Sequence, residues 1–179
     1  RSIGLTAFQN CSILTSITLS SSIIGISNGA FKNCENLTSI TFSPNLVTIG
    51  GWVFESCSQL TNITFPESLT TIGSDAFKGC IGLTSLTFPK SVTSISMNVF
   101  TGCSNLKSIF ILGTPRLYYG AFHGCTNAVI YAEAEEKPES WRSATILDSI
   151  PVVMGYVSHS VTLDGIEYAV SLIDSKYSV

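Results

Sequence analysis

Charge is what this chain has least of. Asp, Glu, Lys and Arg make up 12% of its 179 residues and leave a net charge of −3. Lys and Arg nowhere cluster, so the positive footprint that neutralises a phosphate backbone is missing and nucleic acid is not expected as a partner. No apolar run approaches the ~20 residues of a membrane-crossing helix, so no membrane insertion is expected of this chain. No charged-then-apolar leader opens it either. Arg1 falls inside a repeat, which reads as a mature fragment or a trimmed piece of a longer protein. Histidine is limited to His123 and His159, neither at a metal-ligand spacing. This poverty is not that of a disordered chain, because 45% of the residues are hydrophobic. The few charges are unevenly placed. Residues 1–127 carry six Lys/Arg and four Asp/Glu, whereas residues 128–179 carry three and eight.

What the chain does have is a period. Cys11, Cys34, Cys57, Cys80, Cys103 and Cys125 are spaced by 23 residues with one late step of 22, and each follows a Phe by three. Around them recur Ile3, Ile26, Ile49, Ile72, Ile95 and Leu117, and then Leu14, Leu37, Leu60, Leu83 and Leu106. Each 23-residue unit supplies one coil that cannot bury its apolar face alone, so the stacked array is the folding unit. Segments such as Leu37-Thr-Ser-Ile-Thr-Phe42 alternate inward Ile and Phe with outward Ser and Thr, the pattern of a half-buried strand. Stacking makes these a parallel sheet, ended by Pro66 and Pro89. A second, shorter ladder is expected on the opposite wall, around Ser68-Leu-Thr-Thr-Ile72 and its equivalents. The stretch Gly73-Ser-Asp-Ala-Phe-Lys-Gly-Cys80 predicts one helical or 3-10 turn per coil.

Six cysteines invite a disulfide framework or a zinc site, and the period argues against both. Equivalent Cβ atoms on successive coils stand in parallel at ~4.8 Å, whereas a disulfide needs converging Cβ atoms ~3.8 Å apart. Four thiolates of one zinc site would have to meet at a point. A column of small, buried, reduced thiols is the expectation, with no metal and no cofactor.

The frame resembles the leucine-rich repeats of the BspA-like family, whose pattern reads I-G-x-x-A-F-x-x-C-x-x-L-x-x-I-x-x-P. Thr71-Ile-Gly-Ser-Asp-Ala-Phe-Lys-Gly-Cys-Ile-Gly-Leu-Thr-Ser-Leu-Thr-Phe-Pro89 matches it best, and the resemblance covers residues 3 to about 127. It implies a right-handed leucine-rich-repeat β/α superhelix, mostly parallel β with short helical or 3-10 turns. It also implies a secreted or cell-surface protein of the kind found in mucosal bacteria and some protists, where several members are implicated in adhesion or host-protein binding. The family has no catalytic residues to carry over. Its usual Asn ladder is mixed here, as Ser22, Asn45, Ser68 and Ser91.

Three parts follow: a solenoid at 1–127, a capping segment at 128–155 and a β-hairpin tail at 156–179 that resembles the start of a further module. Ile130-Tyr-Ala-Glu-Ala-Glu-Glu-Lys-Pro-Glu-Ser-Trp141 looks like the family's closing segment, and Trp141 with Ile150-Pro-Val-Val-Met154 is the candidate cover for the last coil. Asp164-Gly165 between two alternating runs signals a two-residue hairpin turn.

Chemistry is sparse. Gly25-Ile-Ser-Asn-Gly29 fits a nucleophile-elbow pattern, but Ile26 is a core position of the repeat and no His partner is near in the frame. Glu133, Glu135, Glu136 and Glu139 read as a solvated acidic loop, and His123 as solvent-facing. No enzyme is expected. The candidate binding surface is the outer face of the main sheet, with Ser39, Thr41, Asn62, Thr64, Ser85, Thr87 and Phe110, joined by Arg116, Tyr118 and Tyr119 where the repeat breaks. The plainer reading of its Ser/Thr columns is that Thr favours strands and water favours polar groups. An ice-binding array is disfavoured because the columns end irregularly at Lys107 and Phe110. The expected activity is binding a protein or glycan on a host or neighbouring cell. The alternative is a rigid spacer of ~25 Å within a longer surface protein. A binder is expected to gather Phe110, Tyr118 and Tyr119 into one apolar patch, and a spacer is not.

Overall fold

Alternation of inward Ile, Leu and Phe with outward Ser and Thr sets the shape of every coil. In a computed structural model, residues 1–141, 150–163 and 166–172 are described, with side chains through 156. The chain forms a parallel-strand solenoid of about six coils, and the inward residues of all coils merge into one core. Phe8, Phe31, Phe54, Phe77, Phe100 and Phe122 stack ring on ring along it, with centroids 5.1, 5.4, 5.0, 5.2 and 5.6 Å apart in turn. A second column, Phe42, Phe65 and Phe88, meets the first edge-on at 5.7–6.0 Å.

Two walls carry the strands. One consists of β1 (Ser2–Ile3), β3 (Gly25–Ile26), β5 (Thr48–Ile49), β6 (Thr71–Ile72), β8 (Ser94–Ile95) and β10 (Arg116–Leu117), paired in that order in strict register. The other, the main sheet, holds β2 (Ser16–Thr18) and β4 (Ser39–Thr41), then β7 (Ser85–Phe88), β9 (Ser108–Ile111) and β11 (Val129–Ala132). The ladder expected to be secondary is therefore the continuous one. The main sheet is interrupted in the third coil, where a single bridge, Ser39 to Asn62, replaces a paired strand.

The stretch around each Cys is not helical, contrary to the sequence expectation. Among the described residues the one helical element is a 3-10 turn at Glu139–Trp141. The reason is local. Two positions per coil lie in the left-handed region, the first being Thr6, Gly29, Trp52, Asp75, Asn98 and Gly120, the second Asn10, Asn33, Ser56, Gly79, Gly102 and Gly124. A right-handed helix cannot include them. The result is a chain of tight turns whose backbone groups divide cleanly between two tasks. The N–H groups of Thr6, Phe8 and Asn10 donate to Asn28, Ala30 and Lys32 of the next coil, while those of Ala7, Gln9 and Cys11 donate to Gly4, Thr6 and Phe8 within the coil. The forward bonds recur from every coil to its successor, ending with Asn98, Phe100 and Gly102 bonded to Tyr119, Ala121 and His123.

At the far end β12 (Val152–Val153) pairs in parallel with β11 and adds one more strand to the main sheet. Trp141 is fully buried and its indole N–H donates to the Pro115 carbonyl at 2.7 Å. Beyond it β13 (Val157–Leu163) and β14 (Ile166–Leu172) pair antiparallel, and the Asp164-Gly165 turn between them lies outside the described residues.

Candidate functional site

The outer face of the main sheet is a set of columns produced by strand alternation. Ser39, Asn62 and Ser85 form one, and Thr41, Thr64 and Thr87 another, all exposed. The interrupted ladder leaves a hollow on each side of Thr64. One, of about 320 Å³, is lined by Thr41, Phe42, Pro44 and Pro66, and the other, of about 190 Å³, by Phe65, Glu67, Thr87 and Pro89. Phe110 continues the Thr column and changes its chemistry. Its ring stacks on Tyr131 of the next strand at 5.2 Å and meets Tyr156 at 5.2 Å, with Tyr131 and Tyr156 5.7 Å apart. Beside this trio Lys90 pairs with Glu133 at 3.0 Å. Tyr131 and Tyr156 were not among the residues singled out from the sequence. Tyr131 was legible, because Ile130 and Ala132 continue the inward positions of Ile109 and Ile111 in register.

Arg116, Tyr118 and Tyr119 are elsewhere. Arg116 belongs to β10 on the six-stranded wall, its guanidinium 5.0 Å from the Tyr118 ring centre, and both tyrosines are exposed. Phe110 therefore does not join them in one patch, and the candidate surface divides into two. Among the described residues, every large exposed hydrophobic lies off the main-sheet columns, and Leu5, Ile24, Val47, Trp52, Met97, Tyr118 and Tyr119 all flank the six-stranded wall.

The cysteines form the expected buried column, none in a disulfide, with Cys11 of the first coil partly exposed. They have a further function not anticipated from sequence. The thiols of Cys34, Cys57, Cys80, Cys103 and Cys125 each donate to a Phe carbonyl of the preceding coil at 3.0–3.3 Å. Burial pushes the Cys57 thiol up to about 12 and raises Cys34, Cys80 and Cys103 as well. Among the described residues no group of His, Cys, Asp and Glu is arranged to hold a metal ion. Ser27 sits in the turn after β3 rather than at a strand-to-helix elbow, and His123 is exposed four coils away. The acidic segment is solvent-facing at Glu135, Glu136 and Glu139. No helix among the described residues is long and apolar enough to cross a membrane.

Coil length, turn chemistry and the Phe–Cys columns define a leucine-rich-repeat solenoid. The profile of the BspA type leucine rich repeat region matches residues 1–129 in six copies, and the chain belongs to that family. It is similar to a leucine-rich repeat protein of T. pallidum at 35% identity and a TM-score of 0.70, over 72% of this chain and 61% of that one. A leucine-rich repeat protein from Bacteroides ovatus shares 27% identity, with TM-score 0.59, over 78% of this chain and 47% of that one. A leucine rich cell surface protein from Faecalibacterium prausnitzii shares 28%, with TM-score 0.59, over 76% and 44%. The chain thus spans between 44% and 61% of the length of these three solved relatives. No curated protein matches it. Repeat proteins of this family are generally non-enzymatic.

Proposed function

We propose that the chain is a non-enzymatic recognition module, displayed on or outside a cell, that binds a protein or glycan of a host or neighbouring cell. The observation that carries this reading is the change of one outer column from Thr41, Thr64 and Thr87 to the ring cluster of Phe110, Tyr131 and Tyr156. Folding needs no aromatic ring on the water side of a strand, and Phe110 and Tyr131 are half-buried there against the buried Tyr156, as anchors of recognition surfaces often are. Surface display is supported by the family's usual location and by the F. prausnitzii relative, a cell surface protein. The absence of a charged patch fits a ligand held by stacking and neutral hydrogen bonds rather than by ion pairs.

The test is a glycan and mucosal-protein array probed with the chain and three folded variants. Phe110→Thr/Tyr131→Thr is expected to lose the hit at least about ten-fold. Tyr118→Ala/Tyr119→Ala and Thr41→Lys/Thr64→Lys report on the other wall and on the Thr columns. A hit that survives Phe110→Thr/Tyr131→Thr unchanged would sink the assignment of the aromatic end. The alternative, a rigid spacer, is supported by the unbroken coil-to-coil bonding of the turns and by the separation of Phe110 from Tyr118 and Tyr119, which a spacer was expected to show. Silence across the array would favour it.

A further inference from the structure

The outward columns of the six-stranded wall are small for five coils and large in the sixth. Before the inward Ile stand Ser2, Gly25, Thr48, Thr71 and Ser94, and after it Gly4, Ser27, Gly50, Gly73 and Ser96. At β10 the same two positions are Arg116 and Tyr118, with the guanidinium 5.0 Å from the ring centre. Tyr119 and Met97 hold the next column on coils six and five, which are joined there by the bond from the Asn98 N–H to the Tyr119 carbonyl. Packing does not explain this step in size. Met97, Tyr118 and Tyr119 are 49%, 38% and 61% exposed, and the buried Trp141 of the cap bonds to Pro115 instead. The sixth coil therefore carries a ridge on a face that is otherwise flat.

The other end of the same wall is hollow. About 490 Å³ lies over the first three coils, lined by Ser2, Leu5, Gly25, Ile26, Ser27, Asn28, Thr48 and Gly50. The lining mixes hydroxyls, an amide and bare backbone with two apolar side chains, and it contains no ionisable group. A ridge and a hollow at opposite ends of one face fit each other when a second copy is turned end for end.

We propose that two copies of the chain pair through this wall about a two-fold axis that runs parallel to the strands, between the third and fourth coils. That operation reverses the order of the coils and keeps each position along the strand, so the first coil meets the sixth and the second meets the fifth. Tyr118 then faces Gly4, Met97 faces Asn28 and Tyr119 faces Leu5, which seats the ridge in the hollow and lays one ring on an exposed Leu. Ile24 and Val47, exposed on the other margin of the wall, face the smaller Thr93 and Thr70. The other two-fold, along the solenoid axis, would set ridge against ridge and hollow against hollow. Six coils at ~4.8 Å and six positions at ~3.3 Å give a face of roughly 29 by 20 Å, so roughly 1,200 Å² is covered in total. That just clears the ~1,000 Å² of the smallest specific interfaces, and the dimer is accordingly weak, micromolar or above. Pairing leaves the Phe110 face of each copy uncovered, so this proposal and the recognition reading can fail separately.

Sedimentation equilibrium of the whole chain from about 1 to about 500 µM tests the pairing, and a monomer–dimer equilibrium is expected within that range. Met97→Ser/Tyr118→Ser, at exposed positions, is expected to keep its Tm and to weaken pairing about ten-fold or more. Gly4 has no atom within 4 Å of an added Cβ, so Gly4→Glu is accommodated by the fold. Gly4→Glu and Tyr118→Lys are each expected to weaken pairing, and Gly4→Glu/Tyr118→Lys to regain it, because each Glu then meets a Lys of the other copy. Within one copy the two positions are five coils apart, roughly 24 Å, so no internal contact can give that rescue. Phe110→Thr/Tyr131→Thr is expected to pair as the parent does. A monomer throughout the range overturns the proposal. So does pairing that survives Met97→Ser/Tyr118→Ser unchanged, assembly beyond a dimer, or a Gly4→Glu/Tyr118→Lys protein that pairs no better than either single variant.

Discussion

The turns that carry Phe and Cys and the main sheet lie on the same coils, yet one is nearly invariant along the molecule and the other is not. Every coil repeats the same two left-handed positions and the same stacked ring, and each of the first five repeats the same forward N–H bonds to its successor. The main sheet loses its ladder at Asn62 and trades Thr for aromatics at Phe110. An array whose stability is the sum of coils and coil interfaces must keep its interface regular somewhere. Here the turns do that, which frees the sheet face to vary. The comparison predicts that damage to the turns will be felt by the whole array and damage to the sheet face will not.

The largest expected effect is Phe77→Ala. Phe77 is fully buried between Phe54 at 5.0 Å and Phe100 at 5.2 Å, with Phe65 edge-on at 5.8 Å. Loss of a buried Phe costs about 3–5 kcal/mol, and the urea midpoint should fall accordingly. A loss below about 1 kcal/mol would mean that the array collapses around the gap and that the turns do not carry the stability.

Next comes alkaline pH. The raised thiols stay protonated in the fold, whereas an unfolded thiol ionises near the ordinary value of 9.0. The unfolded state therefore binds fewer protons above pH 9, and stability must fall as pH rises from there towards about 12, where Cys57 itself ionises. The slope approaches about 1.4 kcal/mol per pH unit for Cys57, with Cys34, Cys80 and Cys103 acting in the same direction. Denaturant midpoints at pH 7, 9 and 10.5 test it, and a flat profile would contradict the buried column. The same burial predicts slow reaction with thiol reagents until the chain unfolds.

Smaller again is Asn33→Ala. Asn33 sits at φ 60° and its Nδ2 donates to Asn10 Oδ1 at 2.9 Å, so the change loses a left-handed preference and one exposed bond, about 1–2 kcal/mol by melting. Asn33→Gly should recover most of it, as Gly79 and Gly102 hold the same position.

Much of this is legible in the sequence. The 23-residue period placed the Ile, Phe, Cys and Leu columns, because inward residues must repeat in register when coils stack. The turns were misread as helical because Ala-Phe-Lys resembles a helix in composition. The signal against it was Asn, Ser or Gly always standing just before Cys, a left-handed position once the coils are aligned. The candidate site was read in part. Its columns followed from alternation, but the step of 21 from Phe110 to Tyr131 hid the aromatic cluster. Sequence neighbourhood put Tyr118 beside Phe110, although the intervening Pro115 and β10 carry it to the other wall. The gap at Asn62 has no counterpart in the pattern, since Asn62-Ile-Thr-Phe65 alternates like its neighbours.

The smallest effect expected is also the sharpest test of the comparison. Thr64 is exposed, lies where the ladder is broken, and stands between the two hollows on the main face. Thr64→Lys should change stability by no more than about 0.5 kcal/mol, the range of surface substitutions that touch no cap, core or buried bond. Thr87→Lys sits on the same column but within the paired strand β7, where it replaces a β-branched residue beside Phe110. It should cost somewhat more, up to about 1 kcal/mol. If Thr64→Lys proves the costlier of the two, the third coil contributes to the sheet despite its single bridge, and the face is less free of the frame than its variation indicates.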